Sequence, residues 1–214
     1  MHFQAPGLTP RLCKRLGSLE QAKPAFADPP PAEAAPAARK TRRPFDLDPD
    51  PSVPWDRMVE GAYELRERLE RLGLVTWVKT TGGKGLHVVA PLARRQEFDE
   101  VREFSRRVVE RMVHDALECY IATMSKAKRK GKIFVDHLRN GRGSTAIVPF
   151  SSRAHEAAPV AVLIRWEELE RGVRPDQFTV ATLPRRLRAL KRDPREGFLE
   201  ARQSLTKRAW AALE

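Results

Sequence analysis

Apolar residues recur at regular periods only from Phe45 onward, and from there the pattern predicts a series of elements. Met58, Val59, Ala62, Leu65, Leu69 and Leu72 share one face of a 3.6-residue period, and Gly73 stands where such a helix would stop, so a helix is expected over 56–72. Val75–Lys79 and Leu86–Ala90 are short and rich in β-branched residues. They predict two strands joined by the glycine-rich turn of residues 80–85. Phe98, Val101, Phe104, Val108 and Met112 predict a second long helix over about 95–117. Ile133–Asp136 and Ser144–Pro149 predict two further strands, joined as a hairpin by the turn-prone residues 139–143. A short strand over 160–164 and helical pieces around 166–170, 184–190 and 194–213 complete the chain, which has no internal repeat. Strands and helices mixed in this irregular order imply an α+β fold, with a mixed or antiparallel sheet flanked by the two long helices.

Residues 1–44 differ in texture. Eight Pro and nine Ala fill 17 of these 44 positions, with eight Lys/Arg against three Asp/Glu and no usable period, which predicts a disordered basic tail. A folded domain is expected over 45–214.

Charge narrows the partners. Forty Lys+Arg against 28 Asp+Glu give a formal net charge of +12, which favours a polyanion because neutralising phosphates releases counterions. A merely well-solvated basic surface is the plain alternative. No run approaches the roughly 18 apolar residues of a spanning helix, so no membrane partner is expected. Cys13 and Cys119 are too few for a disulfide scaffold or a zinc site, and the N-terminus lacks a signal-peptide pattern, which together imply the cytoplasm.

Candidate chemistry begins at Asp46 and Asp48. Carboxylates at i and i+2 of a strand project from one face, and hard oxygen donors so placed suit Mg²⁺ or Mn²⁺. Read alone, Asp-x-Asp-Pro equally fits a turn or a helix cap. Asp136, ending the apolar run Ile133-Phe134-Val135, offers a third carboxylate or a loop cap. Thr81-Gly-Gly-Lys-Gly-Leu-His87 lacks the Walker A spacing and precedes a strand, yet its glycines permit close approach of backbone N–H groups to phosphate. Thr81, Lys84 and His87 add a hydroxyl, a charge and an imidazole donor. A plain hairpin loop and a half-buried His are the simpler readings. Arg139, Arg142 and Arg153 suit bidentate phosphate contacts or an ordinary surface. Lys126, Lys128, Arg129, Lys130 and Lys132 put five cations in seven positions, which suits a nucleic-acid backbone or a solvated loop.

In their order, Phe45-Asp-Leu-Asp-Pro49, Lys79-Thr-Thr-Gly-Gly-Lys-Gly-Leu-His87 and Phe134-Val-Asp-His-Leu-Arg-Asn-Gly-Arg-Gly143 resemble the polymerase domain of bacterial ligase D, of the archaeo-eukaryotic primase superfamily. The resemblance continues through Thr145–Arg153, Trp166–Leu169 and Pro184–Leu187, covering about residues 45–206. It implies a primase-polymerase-like fold and template-dependent addition of nucleotides, preferably ribonucleotides, to broken DNA ends in non-homologous end joining. By the same resemblance Asp46, Asp48 and Asp136 hold two Mn²⁺ or Mg²⁺ ions, and Asp136 helps activate the primer 3′-hydroxyl. Thr81, Lys84, His87, Arg139 and Arg153 contact the nucleoside triphosphate. DNA ends with a 5′-phosphate are the implied partner, and a Ku-type end-binding protein and a ligase domain are further ones.

Three departures from the family pattern shape the expectation. Thr81 stands where the family usually has Ser. Thr41-Arg42-Arg43-Pro44 stands where a hydrophobic strand should precede the carboxylate pair, so that strand is expected to be broken. Residues 1–44 do not resemble the family's N-terminal portion, so the fold is expected to be incomplete at its N-terminus, and a catalytically impaired nucleotide- or nucleic-acid-binding remnant is the alternative function. Phe45-Asp-Leu-Asp48 also resembles the nucleophile motif of haloacid-dehalogenase-like phosphatases, but Pro49 and Asp50 replace that motif's small residue and Thr, and such enzymes have no need of the Gly-Gly-Lys-Gly-Leu-His loop.

Overall fold

The central strand β1 (Thr41–Pro49) alternates as a strand between a core and a cleft must: Phe45 and Leu47 are buried, while Asp46 and Asp48 are part-exposed on the opposite face. The computed structural model describes residues 41–93, 96–140 and 144–214, with side chains from Pro44 onward. Of the tail expected over residues 1–44, residues 1–40 lie outside the described residues, as does Arg142 in the 139–143 turn, whereas residues 41–44 belong to β1.

The expected break before Asp46 does not occur. β1 begins at Thr41 and pairs with the strand Leu86–Leu92 (β3) through Pro44, which stands opposite Val89. Its second neighbour, Ile133–Asp136 (β5), joins only from Asp46 to Pro49. At Pro44, β1 therefore has a strand on one side only, the setting in which a residue without an N–H costs no ladder bond. With Trp77–Thr80 (β2), Tyr120–Ile121 (β4) and Leu163–Ile164 (β6), the described strands form one sheet of order β4-β5-β1-β3-β2-β6, antiparallel except for the β4/β5 pair.

Two amphipathic helices cover one face, as their periods predict. Helix α1 (Trp55–Arg71) buries Met58, Ala62, Leu65 and Leu69, and α2 (Phe98–Asp115) buries Val101, Phe104, Val108 and Met112. These side chains join Phe45, Leu47, Leu86, Val88 and Val135 in one core. α1 stops where Gly73 takes a φ of 80°, with Gly73 N–H donating to Glu70 O at 2.8 Å and Leu74 N–H to Leu69 O at 2.9 Å, a Schellman arrangement that satisfies two terminal carbonyls.

Beyond the sheet the chain is less regular than its periods suggest. Ser144–Val148 pairs in no ladder, so the expected hairpin with β5 is absent; β5 spends its two edges on β1 and β4 instead. Three short helices follow, α3 (Trp166–Glu170), α4 (Leu183–Ala189) and α5 (Lys207–Ala211). The helix expected over 194–213 is reduced to α5, because Gly197 adopts a φ of 75° and the preceding residues form turns. Among the described residues no helix is long and apolar enough to cross a membrane.

Leu47 is fully buried at the centre of β1. Its truncation to Ala is expected to cost about 2–5 kcal/mol in urea unfolding, whereas truncating the exposed Leu199 should cost little.

Candidate functional site

Ladder register assembles the site. Asp46 lies directly opposite Asp136 on β5 and opposite His87 on β3, and His87 lies opposite Lys79 on β2. Directly opposed residues share a face, so Asp136, Asp46, His87 and Lys79 form one polar row across four strands. The neighbouring row, Val135, Leu47 and Leu86, points into the core. Residues far apart in sequence are thus brought together by strand pairing.

His87 is 3% exposed and its Nε2 lies 3.4 Å from Asp46 Oδ1. Burial disfavours the charged imidazole and holds its pKa below the ordinary value, although the Asp46 carboxylate opposes that shift. The ring is accordingly neutral at pH 7 and turns Nε2–H toward the carboxylate, while Nδ1 is buried with no hydrogen-bond partner among the described residues. Burial alone would raise the pKa of Asp46, but the His87 hydrogen bond and the charges of Arg139 and Lys79 prevail and hold it below the usual carboxylate range. Lys79, itself 3% exposed, donates from Nζ to the carbonyl of Ile147 and so fastens the segment after β5 to the row.

Arg139 closes the other end. Its Nε lies 3.1 Å from Asp136 Oδ2 and 3.7 Å from Asp46 Oδ2, bridging the two opposed carboxylates, and its Nη1 donates to Thr145 O at 2.9 Å. Asp136 is held further by Leu138 N–H, 2.8 Å from Oδ1. Asp48, two residues along the same face, pairs with Lys84 and with Arg129, each at 3.2 Å. Arg129 also stacks over Phe134 at 3.7 Å. The structure thus separates Arg129 from its neighbours: Lys126, Lys128 and Lys130 are exposed on or beside a 3₁₀ turn, while Arg129 turns inward to the carboxylates.

The glycine-rich loop comes close to β1 for a specific reason. A Cβ at Gly85 would stand 2.5 Å from Leu47 O, so only glycine lets the loop lie against the strand carrying the carboxylates. Gly82 has a φ of 67° and backs onto the Pro159–Ala161 backbone. Thr81 is buried; its hydroxyl donates to Gly85 O at 3.0 Å and accepts from Gly83 N–H at 3.3 Å, stapling the loop. Arg153 Nε donates to Thr81 O at 3.1 Å. Lys84 reaches Pro49 O at 2.8 Å as well as Asp48.

Asp46, Asp48, Thr81, Lys84, Arg139 and Arg153 line a cleft of about 980 Å³, while Asp136 and His87 flank Asp46 behind its wall. Its far side carries Trp55 with Arg174 stacked 5.2 Å over the ring, an arrangement with no motif signature in the sequence. Lys79 was legible only as the end of an apolar run; its partner His87 could be named from sequence, the register that joins them could not. Among the described residues no three His, Cys, Asp or Glu side chains converge as a ready metal cage. The donor chemistry nonetheless fits a hard divalent cation: Asp46 and Asp136 face each other, Asp48 adjoins them, and the positive charge the three carboxylates require is supplied by Arg139, Lys84 and Arg129.

Comparison with known proteins follows the same lines. The family model for the LigD primase-polymerase domain matches residues 13–195, a span that starts inside the segment read from sequence as a tail. The multifunctional non-homologous end joining protein LigD of Pseudomonas aeruginosa is 40% identical over 162 residues, covering 76% of this chain and 19% of that protein. The bifunctional LigD of Bacillus subtilis is 29% identical over 154 residues, 70% of this chain and 25% of that protein. The chain thus spans a quarter or less of these relatives. Among solved structures, the polymerase domain of Mycobacterium tuberculosis ligase D in complex with DNA superposes with a TM-score of 0.69 at 32% identity, covering 76% of this chain and 56% of that one.

Gly85→Ala should destabilise the fold by about 1–3 kcal/mol in chemical denaturation, because backbone must move, while Gly83→Ala, whose Cβ would meet its nearest atom at an ordinary 3.6 Å, should be tolerated. Acidification should destabilise the protein in two stages. The folded pKa of His87 is below its unfolded value of about 6.5, so the fold is penalised as pH falls below 6.5. Asp46, depressed in the fold, contributes stability that is present above its unfolded value of about 3.9 and lost as pH falls through its folded one. His137 is shifted the same way as His87. In thermal melts His87→Gln should therefore flatten part, not all, of the loss of stability on acidification below 6.5; an unchanged profile would refute the assignment.

Proposed function

Since this chain belongs to the LigD primase-polymerase domain family, we propose that its cleft adds nucleotides to DNA ends during non-homologous end joining, directed by a template strand and preferring ribonucleotides. The observation that carries the reading is the register-built row, in which Asp46 sits between Asp136 and His87 while Asp48, Lys84, Arg139 and Arg153 surround the same cleft.

Asp46, Asp48 and Asp136 would hold the Mn²⁺ or Mg²⁺ ions. Bound there, such ions supply charge neutralisation at the attacking and leaving oxygens of an in-line displacement. The remaining work falls to the chain. A triphosphate carries the charge that Lys84, Arg139 and Arg153 are suited to meet, and a guanidinium now shared between two carboxylates can turn to a phosphate oxygen without losing charge-assisted hydrogen bonds. The loop held by Thr81 and Gly85 places backbone N–H groups beside Lys84, and neutral His87 keeps a hydrogen-bond donor directed at Asp46. Asp136, the last residue of β5, would accept the proton of a primer 3′-hydroxyl. The products are a DNA end longer by one nucleotide and pyrophosphate. The DNA 5′-phosphate, a Ku-type end-binding protein and a ligase domain are the partners this reading assigns, in the cytoplasm beside the nucleoid.

One observation favours a second reading, a binding remnant without catalysis: each of the three carboxylates is engaged by a cationic side chain, and no ready metal cage is formed among the described residues. Primer extension on gapped DNA bearing a 5′-phosphate, with Mn²⁺ and each ribo- and deoxynucleotide, separates the two. Metal-dependent addition that falls at least about 100-fold in Asp136→Ala, with nucleotide binding retained, is the expected outcome. Triphosphate binding with no addition by the wild-type protein would leave only the remnant.

A further inference from the structure

A second basic region lies outside the carboxylate cleft. The ten residues Leu183–Arg192, spanning α4 and the turn after it, contain five cations and no acid. Arg186 is consumed structurally: it pairs with both oxygens of Glu168 on α3, at 2.6 and 3.0 Å, and stacks 4.3 Å over Phe178, fixing α4 against the domain. Around it, Arg165, Arg171, Arg185, Lys191 and Arg192 line a recess of about 670 Å³. Arg171, Arg185, Lys191 and Arg192 are exposed and, among the described residues, make no ion pair.

Helix α2 shows what a solvated charged face of this protein looks like. There Arg106 pairs with Glu103 and Glu110, Arg107 with Glu103, and Arg111 with Asp115, so positive charge is answered within the helix. α4 lacks such carboxylates. Glu167 and Glu168 also line the recess but are paired with Arg165 and Arg186, so the other four cations cluster without a paired carboxylate among the described residues, a self-repulsion that a bound polyanion relieves.

Position identifies the polyanion. The connection between α3 and α4 separates the two concavities: Arg174, Asp176 and Thr179 face the carboxylate cleft, whereas Gln177, Phe178 and Thr182 face the basic recess. A strand leaving the cleft over that wall meets the recess next. We propose that Arg171, Arg185, Lys191 and Arg192 form a phosphate-backbone contact for the DNA whose end is processed in the cleft, extending its footprint across the α3/α4 wall. This rests on the function proposed above. The contact is to backbone, so it is independent of sequence and strongly dependent on salt.

The test is the salt dependence of binding by the full chain to a fluorescein-labelled duplex with a 3′ overhang, followed by anisotropy between roughly 50 and 200 mM salt. Arg185→Gln/Lys191→Gln/Arg192→Gln is compared with Arg106→Gln/Arg107→Gln/Arg111→Gln, which removes equal charge from the ion-paired face of α2. The inference predicts that the slope of log affinity against log salt shrinks by about 2–3 in the first variant, at about 0.9 per phosphate lost, and by less than 1 in the second. Nucleotide addition at saturating DNA should match wild type in both. Equal slopes for the wild type and the first variant, or equal losses in both variants, would overturn the contact; the first of these, with addition intact, leaves the proposed function standing and the recess to some other polyanion. Wild-type protein that binds no DNA would overturn both. Lys191→Glu/Arg192→Glu, on two exposed side chains, repeats the measurement should the first variant fold poorly.

Discussion

The site depends on one constraint, the double register of β1. Because Asp46 is paired at once with Asp136 and His87, three groups separated by tens of residues are held side by side without a loop to position any of them. A slip of one residue in either ladder would turn Asp46 into the core and Leu47 into the cleft, a change that burial of Leu47, Leu86 and Val135 on the opposite face forbids. The hydrophobic core beneath α1 and α2 is in this sense what aligns the carboxylates.

Electrostatics completes the arrangement. Three carboxylates on adjoining positions repel one another, and the fold offsets this with Arg139 between two of them, Lys84 and Arg129 on the third, and a neutral, buried His87 alongside. In the function proposed above, the same cations that steady the carboxylates would meet the triphosphate, so binding it would exchange partners more than it creates charge. This explains why Arg129, although it sits in a basic run, belongs with the carboxylates and not with the exposed Lys126, Lys128 and Lys130.

Much of this was legible before the structure. The i, i+2 spacing of Asp46 and Asp48 does place both on one face, the periods of α1 and α2 do mark their buried sides, and the motif order does correspond to the LigD primase-polymerase domain. What local pattern could not convey was partnership. Ser144–Pro149 has the composition of a strand, yet β5 finds its partners 84 or more residues earlier in β1 and across the basic turn in β4. Pro44 looks like a strand breaker until β1 is seen to have one neighbour there. Lys79 reads as the polar end of an apolar run until its place opposite His87 is known, because cross-strand adjacency is set by the ladder and not by sequence distance.

Whether the paired carboxylates of β1 and β5 hold one divalent cation, as proposed, is read directly by Mn²⁺ titration followed by electron paramagnetic resonance. Wild-type protein should quench the free Mn²⁺ signal, and both Asp46→Asn and Asp136→Asn, on opposite strands, should each restore it while leaving the circular dichroism spectrum unchanged. Undiminished Mn²⁺ binding in both folded variants would mean that these carboxylates hold no cation.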